Sequence, residues 1–280
     1  MAGRPNVGKS TLVNALCGGK VAIVSDKPHT TRRRIFGIAN GDDHQLVLVD
    51  LPGFQRPIDP LTQRMQRTVD SSFEDIDAVL FVLSARDRIG AGDKFVGRRV
   101  FELDLPVVIA LNKVDRLKAG HIATQMQTAA RLGDFHALHP VSAVTRDGIG
   151  ALRDELVGLL PEGGQLYFPR DQRTDLTLSD QVAEVVREKA LQLTKEEVPH
   201  SISVEIDEIE AKLVRAFVLV ETESQKQILV GKRGAVVKQI GTRARPEIDR
   251  ILGRRIFLDL TVKVRPRWRR DEAQLERLGL

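Results

Sequence analysis

The chain has 280 residues, 42% of them hydrophobic and 29% charged, with a formal net charge of +5, a pI near 9.5 and one cysteine. Its length favours two domains, each able to bury its own core. The lone Cys17 excludes an internal disulfide framework and a cysteine-held zinc cluster and fits a reducing cytoplasm, while the longest apolar runs, Ala78 to Leu83 and Leu105 to Leu111, are too short to cross a bilayer.

The first element is a glycine-rich turn. Gly3-Arg4-Pro5-Asn6-Val7-Gly8-Lys9-Ser10 fits GxxxxGK[ST], in which backbone N–H groups wrap phosphates, the lysine neutralises β and γ oxygens, and the serine hydroxyl ligates Mg²⁺. The helix that opens at Ser10 and Thr11 aims its positive end at the same anion. Only Met1 and Ala2 precede this turn, so the strand that should feed it is absent from the sequence. Two neighbouring strands would then be left with unpaired backbone groups and an apolar gap, and the natural polypeptide is expected to begin about eight or more residues upstream.

His29-Thr30-Thr31-Arg32-Arg33 lies where a switch loop would follow the first helix. A threonine hydroxyl there, assigned to Thr31, joins the Mg²⁺ shell only when a γ-phosphate is present. Gln45 to Val49, Ala78 to Leu83, Val107 to Leu111 and His139 to Ser142 read as strands between amphipathic segments. Their continuous apolar character marks strands buried on both faces, and the alternation predicts an α/β doubly wound domain.

The strand ends carry further motifs. Asp50-Leu51-Pro52-Gly53 is a DxxG turn whose Asp50 holds Mg²⁺ through water and whose Gly53 N–H senses the γ-phosphate. In Asn112-Lys113-Val114-Asp115, the Asp115 carboxylate accepts from both N1–H and the 2-amino group of guanine, a pair adenine does not offer. Asn112 reaches the other edge of the base and Lys113 covers it. Ser142-Ala143 stands where a backbone N–H would meet guanine O6. Lys9, Thr31 and Gly53 are the residues assigned to the hydrolytic step.

The nucleotide domain is read as residues 1–163, and PEGGQLYFPRDQRT, rich in Pro, Gly and charge, begins a linker over 164–178. From 179 to 280 the order changes to αββααβ, an α+β module in which Ser179 caps a helix through about Lys195. Gly231-Lys232-Arg233-Gly234 is a GxxG turn: its glycines let backbone approach RNA phosphates, and its Lys-Arg pair supplies charge. Lys238, Arg265 and Arg267 suit phosphate contact, and Trp268 suits base stacking.

The strings GRPNVGKST, DKPHTTRRR, DLPGF and NKVD, with ILVGKRG and the ending VRPRWRRDEAQLERLGL, closely resemble the Era family of GTPases. That resemblance covers essentially the whole chain. It implies a Ras-like P-loop GTPase domain using GTP/GDP and Mg²⁺, and a type II KH domain that binds single-stranded RNA near the 3′ end of 16S rRNA during assembly of the 30S subunit. The protein is further expected to be a cytoplasmic monomer whose basic tail can touch anionic lipid at the inner face of the cell membrane.

One position departs from the Ras pattern. Where a glutamine orients the attacking water, this chain has Phe54, which has no hydrogen-bonding group, so slow hydrolysis is expected; Gln55, one residue on, is expected to point elsewhere. Related GTPases with an asparagine at the position of Asn6 can use a bound potassium ion, and Ser25 and Thr30 would line that site. Two other readings stay open: an RNA-binding protein with an inactive nucleotide domain, and a GTPase partner of a tRNA-modification enzyme.

Overall fold

The structure, a computed structural model, describes every residue except 28–29, 55–56, 73–75 and 164. Contacts divide the chain into a first unit of Met1–Ala22, Thr31–Arg56 and Met65–Asp175, and a second of Ile23–Thr30, Pro57–Arg64 and Leu176–Leu280.

The chain runs through α1 (Lys9–Leu16), β1 (Ile35–Asn40), β2 (Gln45–Asp50), α2 (Pro60–Ser71), β3 (Val79–Ser84), α3 (Ala91–Phe101), β4 (Val107–Asn112), α4 (Ala119–Ala129), β5 (Ala137–Pro140) and α5 (Ile149–Gly158). The beginning of α2 belongs to the second unit. Strands β3, β4 and β5 are parallel, with Leu80 opposite Val108 and Val108 opposite Ala137. Every residue of β3 and β4 is buried, which is why VLFVLS and VVIALN show no alternation. Strand β5 ends at Pro140, earlier than the expected Ser142, and leaves Val141, Ser142 and Ala143 to form a turn at its end.

Strands β1 and β2 form an antiparallel hairpin, with Ile35 opposite Asp50. Among the described residues this hairpin and β3 belong to separate sheets. Ala2 stands beside β3: its N–H donates to Leu80 O and its carbonyl accepts from Val82 N, each at 2.9 Å. The Met1 ammonium donates to Val49 O of β2 at 2.8 Å. A cavity of about 740 Å³, bordered by Val47, Val49, Val79 and Leu80 among others, lies alongside.

The segment read as a linker has structure. Thr174 bridges Gly37 in antiparallel sense, and Ile38 N–H donates to Arg173 O at 2.9 Å. The Gln45 side chain donates to Phe168 O and accepts from Phe168 N, both at 2.9 Å. Much of 165–175 is thus an added edge on the hairpin, held through backbone groups that periodicity does not reveal. Gly164 lies outside the described residues.

The second unit contains α6 (Leu178–Leu193), α7 (Val198–Ser201), β6 (Ser203–Ile209), β7 (Leu213–Val220), α8 (Glu223–Val230), α9 (Ala235–Leu252), β8 (Phe257–Val264) and α10 (Glu272–Arg277). The cap of α6 is Thr177, whose hydroxyl accepts from Asp180 N at 3.1 Å, and not Ser179. Strand β7 pairs antiparallel with β6 and parallel with β8. Val182 and Val186 of α6 and Ile240 and Ile248 of α9 bury one face of this sheet over Val214, Ala216 and Val218.

Candidate functional site

The turn Gly3–Ser10 is closed against its surroundings. Gly3 and Gly8 have φ of +154° and +100°, and a Cβ would stand 2.6 Å from Val82 O at the first and 2.3 Å from Asn112 Nδ2 at the second. Side chains brace the rest: Arg4 Nε donates to Asp93 Oδ1 at 2.7 Å, Lys113 Nζ to Asn6 O, and Asn112 Nδ2 to Val7 O at 3.0 Å. Pro5 lies against Gly53, where a Cβ would stand 2.9 Å from Pro5 N. Lys9 Nζ donates to Gly3 O and Arg4 O at 3.0 Å each; burial pushes its pKa down to about 8, and the nearby Asp50 carboxylate opposes that shift. Helix α1 starts at Lys9, so Ser10 and Thr11 lie in its first turn.

Ser10, Thr31 and Asp50 come together from separate segments. Ser10 Oγ donates to Asp50 Oδ2 at 2.7 Å, and Thr31 Oγ1 lies 3.0 Å from Ser10 Oγ and 3.3 Å from Asp50 Oδ2. Asp50 is fully buried, and its other oxygen, Oδ1, has no hydrogen-bond partner. Such an oxygen is costly unless something binds it. Burial pushes the Asp50 carboxyl up, against the pull of Lys9 and the Ser10 hydrogen bond. Two hydroxyls and one carboxylate are hard oxygen donors, the set Mg²⁺ takes with water completing its shell. Among the described residues no cluster of three or more His, Cys, Asp or Glu side chains is placed to hold a metal.

The residues expected to meet the base lie at the ends of β4 and β5. Asn112 Oδ1 accepts from Lys113 N at 2.8 Å and Ala143 N at 3.1 Å, so Asn112 ties the β5 turn to the phosphate turn. Lys113, with φ +71°, bends the chain into the short turn that carries Val114 and Asp115. Ser142 Oγ donates to Asp115 Oδ1 at 2.9 Å and orients that carboxylate. From sequence, a backbone N–H of Ser142-Ala143 is expected to meet guanine O6. In the structure Ser142 N donates to Asp147 O at 2.9 Å and Ala143 N to Asn112, so an O6 contact at Ala143 would be a second, bifurcated one.

Leu51, Pro52 and Phe54 are buried; Phe54 lies in the core with Leu51 and Val69, and the Arg99 guanidinium stands 5.6 Å from its ring. The water-orienting position is therefore an apolar ring, and Gln55 lies outside the described residues. Asn6 is exposed with φ +63°. Ser25 and Thr30 belong to the second unit, where Ser25 Oγ accepts from Lys27 N at 3.1 Å and Thr30 Oγ1 donates to Lys27 O at 2.7 Å.

In the second unit Gly231, Arg233 and Gly234 have φ of +68°, +53° and +77°. Gly231 N donates to Gln227 O, ending α8, and Gly234 caps α9. Lys232, Arg233 and Lys238 are exposed. Ile228 of α8, 49% exposed just before the turn, is an apolar side chain the sequence reading did not single out. Its signal is the ILV run, in which Leu229 is fully buried while Ile228 is not.

Trp268, expected to stack on a base, lies inside the second unit. The ring is fully buried and Nε1 donates to Ser201 O at 2.8 Å, so it cannot stack on a base. Arg267, with φ +55°, leads into the short helical turn Trp268–Arg270 that holds the ring inside. Arg269 stands 3.4 Å from Asp59 and 3.5 Å from Glu221, and Lys263 covers the Phe217 ring. Arg265, Arg267 and Arg270 are the exposed members of the basic cluster.

Residues 1–113 match the family described as 50S ribosome-binding GTPase, and residues 197–269 match the KH domain. The chain is 41% identical over 284 residues to GTPase Era of Lactobacillus delbrueckii subsp. bulgaricus, covering 100% of this chain and 94% of that protein. It is also 41% identical over 292 residues to GTPase Era of Thermotoga maritima, covering 100% and 95%. Among solved structures it is similar to a point variant of Aquifex aeolicus Era bound to GDP·AlF4⁻, with 37% identity and a TM-score of 0.95 over 99% of this chain and 96% of that one. A structure of Era in complex with MgGDPNP and nucleotides 1506–1542 of 16S ribosomal RNA has a TM-score of 0.93 at the same identity and coverage.

Proposed function

The chain belongs to the Era family of GTPases, and on that premise we propose that it is a GTP-driven switch on ribosomal RNA. Its first unit binds and slowly hydrolyses GTP; its second holds single-stranded RNA near the 3′ end of 16S rRNA during assembly of the 30S subunit. The observation that carries the nucleotide half is the convergence of Ser10 and Thr31 on buried Asp50, whose second oxygen has no protein partner. Mg²⁺ held there would neutralise charge on the β and γ phosphates. Lys9 and the N–H groups of the turn orient those phosphates, Thr31 responds to the γ-phosphate, and Gly53 is assigned the same task through its backbone. Asp115, oriented by Ser142, selects guanine, and the second hydrogen of Asn112 Nδ2 serves the opposite edge of the base.

Phe54 offers no acceptor for the attacking water, so the rate rests on positioning and charge and is slow. Asn6 alone carries the potassium expectation in the first unit. Hydrolysis should run faster in potassium than in sodium and lose that difference in Asn6→Ala; equal rates in the two salts would remove the ion from the mechanism.

On the RNA side, exposed Lys232, Arg233 and Lys238 surround a turn that ends at the N-terminus of α9, with Ile228 as an apolar neighbour. Exposed Arg265, Arg267 and Arg270 add charge that suits RNA and, at a membrane face, anionic lipid. Among the described residues no helix is long and apolar enough to cross a membrane. A cytoplasmic monomer is the state this reading assumes; sedimentation and vesicle flotation test it.

Two measurements decide the main reading. Mant-GDP titration should show saturable, Mg²⁺-dependent binding, and crosslinking in cells should place the protein at the 3′ end of 16S rRNA. RNA crosslinks without saturable nucleotide binding would instead make it an RNA-binding protein with an inactive nucleotide domain.

A further inference from the structure

Asn112, Lys113 and Gly53, which brace Val7, Asn6 and Pro5, all belong to the nucleotide motifs. The brace on Arg4 does not. It comes from Asp93 in the first turn of α3, a carboxylate only 1% exposed. Asp93 Oδ2 accepts from Gly90 N at 2.9 Å and so caps the helix, while Oδ1 accepts from Arg4 Nε at 2.7 Å. The Arg4 stem lies on the bare face of Gly92, where a Cβ would stand 2.6 Å from Arg4 Cδ. Gly90-Ala91-Gly92-Asp93 thus supplies both a flat bed for the side chain and the anion at its end.

The backbone of the same residue faces the chemistry. Arg4 O and Gly3 O both accept from Lys9 Nζ. A shift of Arg4 therefore displaces the carbonyls that position the phosphate lysine. A charge-assisted hydrogen bond to a buried carboxylate is short and directional, which suits it to fixing a turn in place.

We propose that Arg4 and Asp93 are a positioning pair for GTP: the buried carboxylate ties the first half of the phosphate turn to α3 and so sets where Lys9 and the turn's N–H groups meet the phosphates. Neither side chain touches the nucleotide in this assignment. The inference rests on the nucleotide-binding reading above.

The test uses the full chain with Arg4→Met, Asp93→Asn and the double variant. Methionine keeps the stem over Gly92 without the charge, and asparagine keeps an acceptor for Gly90 N while turning an amide toward the guanidinium. Mant-GDP dissociation constants, kcat and KM for GTP, and thermal melting without nucleotide are measured together. Each single variant should raise Kd and KM about tenfold, with a much smaller change in kcat, and the double should be no worse than either single. Arg4→Met, whose wild-type side chain is 32% exposed, should melt like the wild type. Wild-type affinity in either variant, or effects that multiply in the double, would overturn the pair. If Asp93→Asn melts early through a damaged cap, Arg4→Met carries the decision alone. A wild-type chain without saturable binding would sink the nucleotide reading itself, which these variants do not address.

Discussion

Two glycine turns in this chain each end at the start of a helix, and their last glycines, Gly8 and Gly234, stand in different surroundings. At Gly8 a Cβ would stand 2.3 Å from Asn112 Nδ2, and side chains from the ends of β4 and α3 grip the residues around it. At Gly234 a Cβ would meet only Val237 Cγ1, at 4.0 Å, whereas at Gly231 it would stand 2.5 Å from Val236 Cγ2, and Lys232 and Arg233 between the two glycines are exposed. A closed, braced turn holds one rigid shape and so can demand one ligand geometry. A turn that is open at its end and carries exposed cations can follow a phosphate backbone whose bases vary. The same local device is thus gripped at Gly8 and open at Gly234, and the difference lies in what surrounds those two glycines.

The largest effect should come from a residue that looks as though it belongs to the open site and does not. Trp268→Ala removes a fully buried ring and its hydrogen bond to Ser201 O, and should destabilise the second unit by about 3–5 kcal/mol, read by thermal or denaturant melting. Trp268→Phe should cost less, because most of the buried apolar surface stays. Unchanged melting with a loss of RNA affinity would put the ring on the open surface.

Identical substitutions at the last glycines of the two turns should differ in effect. Gly8→Ala forces a Cβ into Asn112 and should weaken mant-GDP binding by at least about a hundredfold, or roughly 3 kcal/mol. Gly234→Ala meets open space and suffers only the positive φ, about 1 kcal/mol, so RNA affinity should fall several-fold in a binding titration. Equal losses would mean that the second turn is closed as tightly as the first once RNA is bound.

How much of this was legible in the sequence depended on whether a feature has a pattern. The phosphate turn, the DxxG turn and the Asn112 to Asp115 motif are strings with fixed spacing, and they fall at strand and helix ends because the apolar runs of β3 and β4 mark those ends. Asp93 has no such string: an aspartate in the first turn of a helix reads as a cap, and only the folded chain brings Arg4 to its other oxygen. Trp268 was misread because an aromatic among arginines has the same composition whether it stacks on a base or fills a core. The left-handed Arg267 that decides between them leaves no trace in periodicity. The 165–175 edge escaped for a related reason, since many of its hydrogen bonds use backbone atoms and a polar, aperiodic stretch supplies those as well as any strand. Thr177 and Ser179 are both good caps by type, and geometry chose the first.

Salt separates the two turns by a smaller margin. Lys232→Ala should lower RNA affinity by about five- to tenfold across unrelated single strands and reduce the slope of log K against log salt by about 0.7, the share of one phosphate contact. Nucleotide affinity in the same variant should not move. A sequence-selective loss would show that the exposed cations read bases.

The smallest effect concerns the helix behind the closed turn. Helix α1 is followed by Cys17, whose sulfur lies close beneath Gly37, where a Cβ would stand 2.9 Å from it. Burial pushes the thiol pKa up to about 12, against the pull of Arg173. In the unfolded chain the thiol titrates at its ordinary value of about 8.5, so above that pH the unfolded state releases a proton that the folded state keeps. Stability from this group is therefore fully present below about pH 8.5 and declines as pH rises toward 12. The loss should reach about 1 kcal/mol one pH unit above 8.5, read as the difference in melting between wild type and Cys17→Ala. The same burial keeps the native thiol protonated, so it should react slowly with iodoacetamide at pH 8 and quickly once denaturant is added. Rapid native labelling would show that the region behind the braced turn opens on the timescale of the reagent, and the rigidity ascribed to that turn would have to come from the side-chain braces alone.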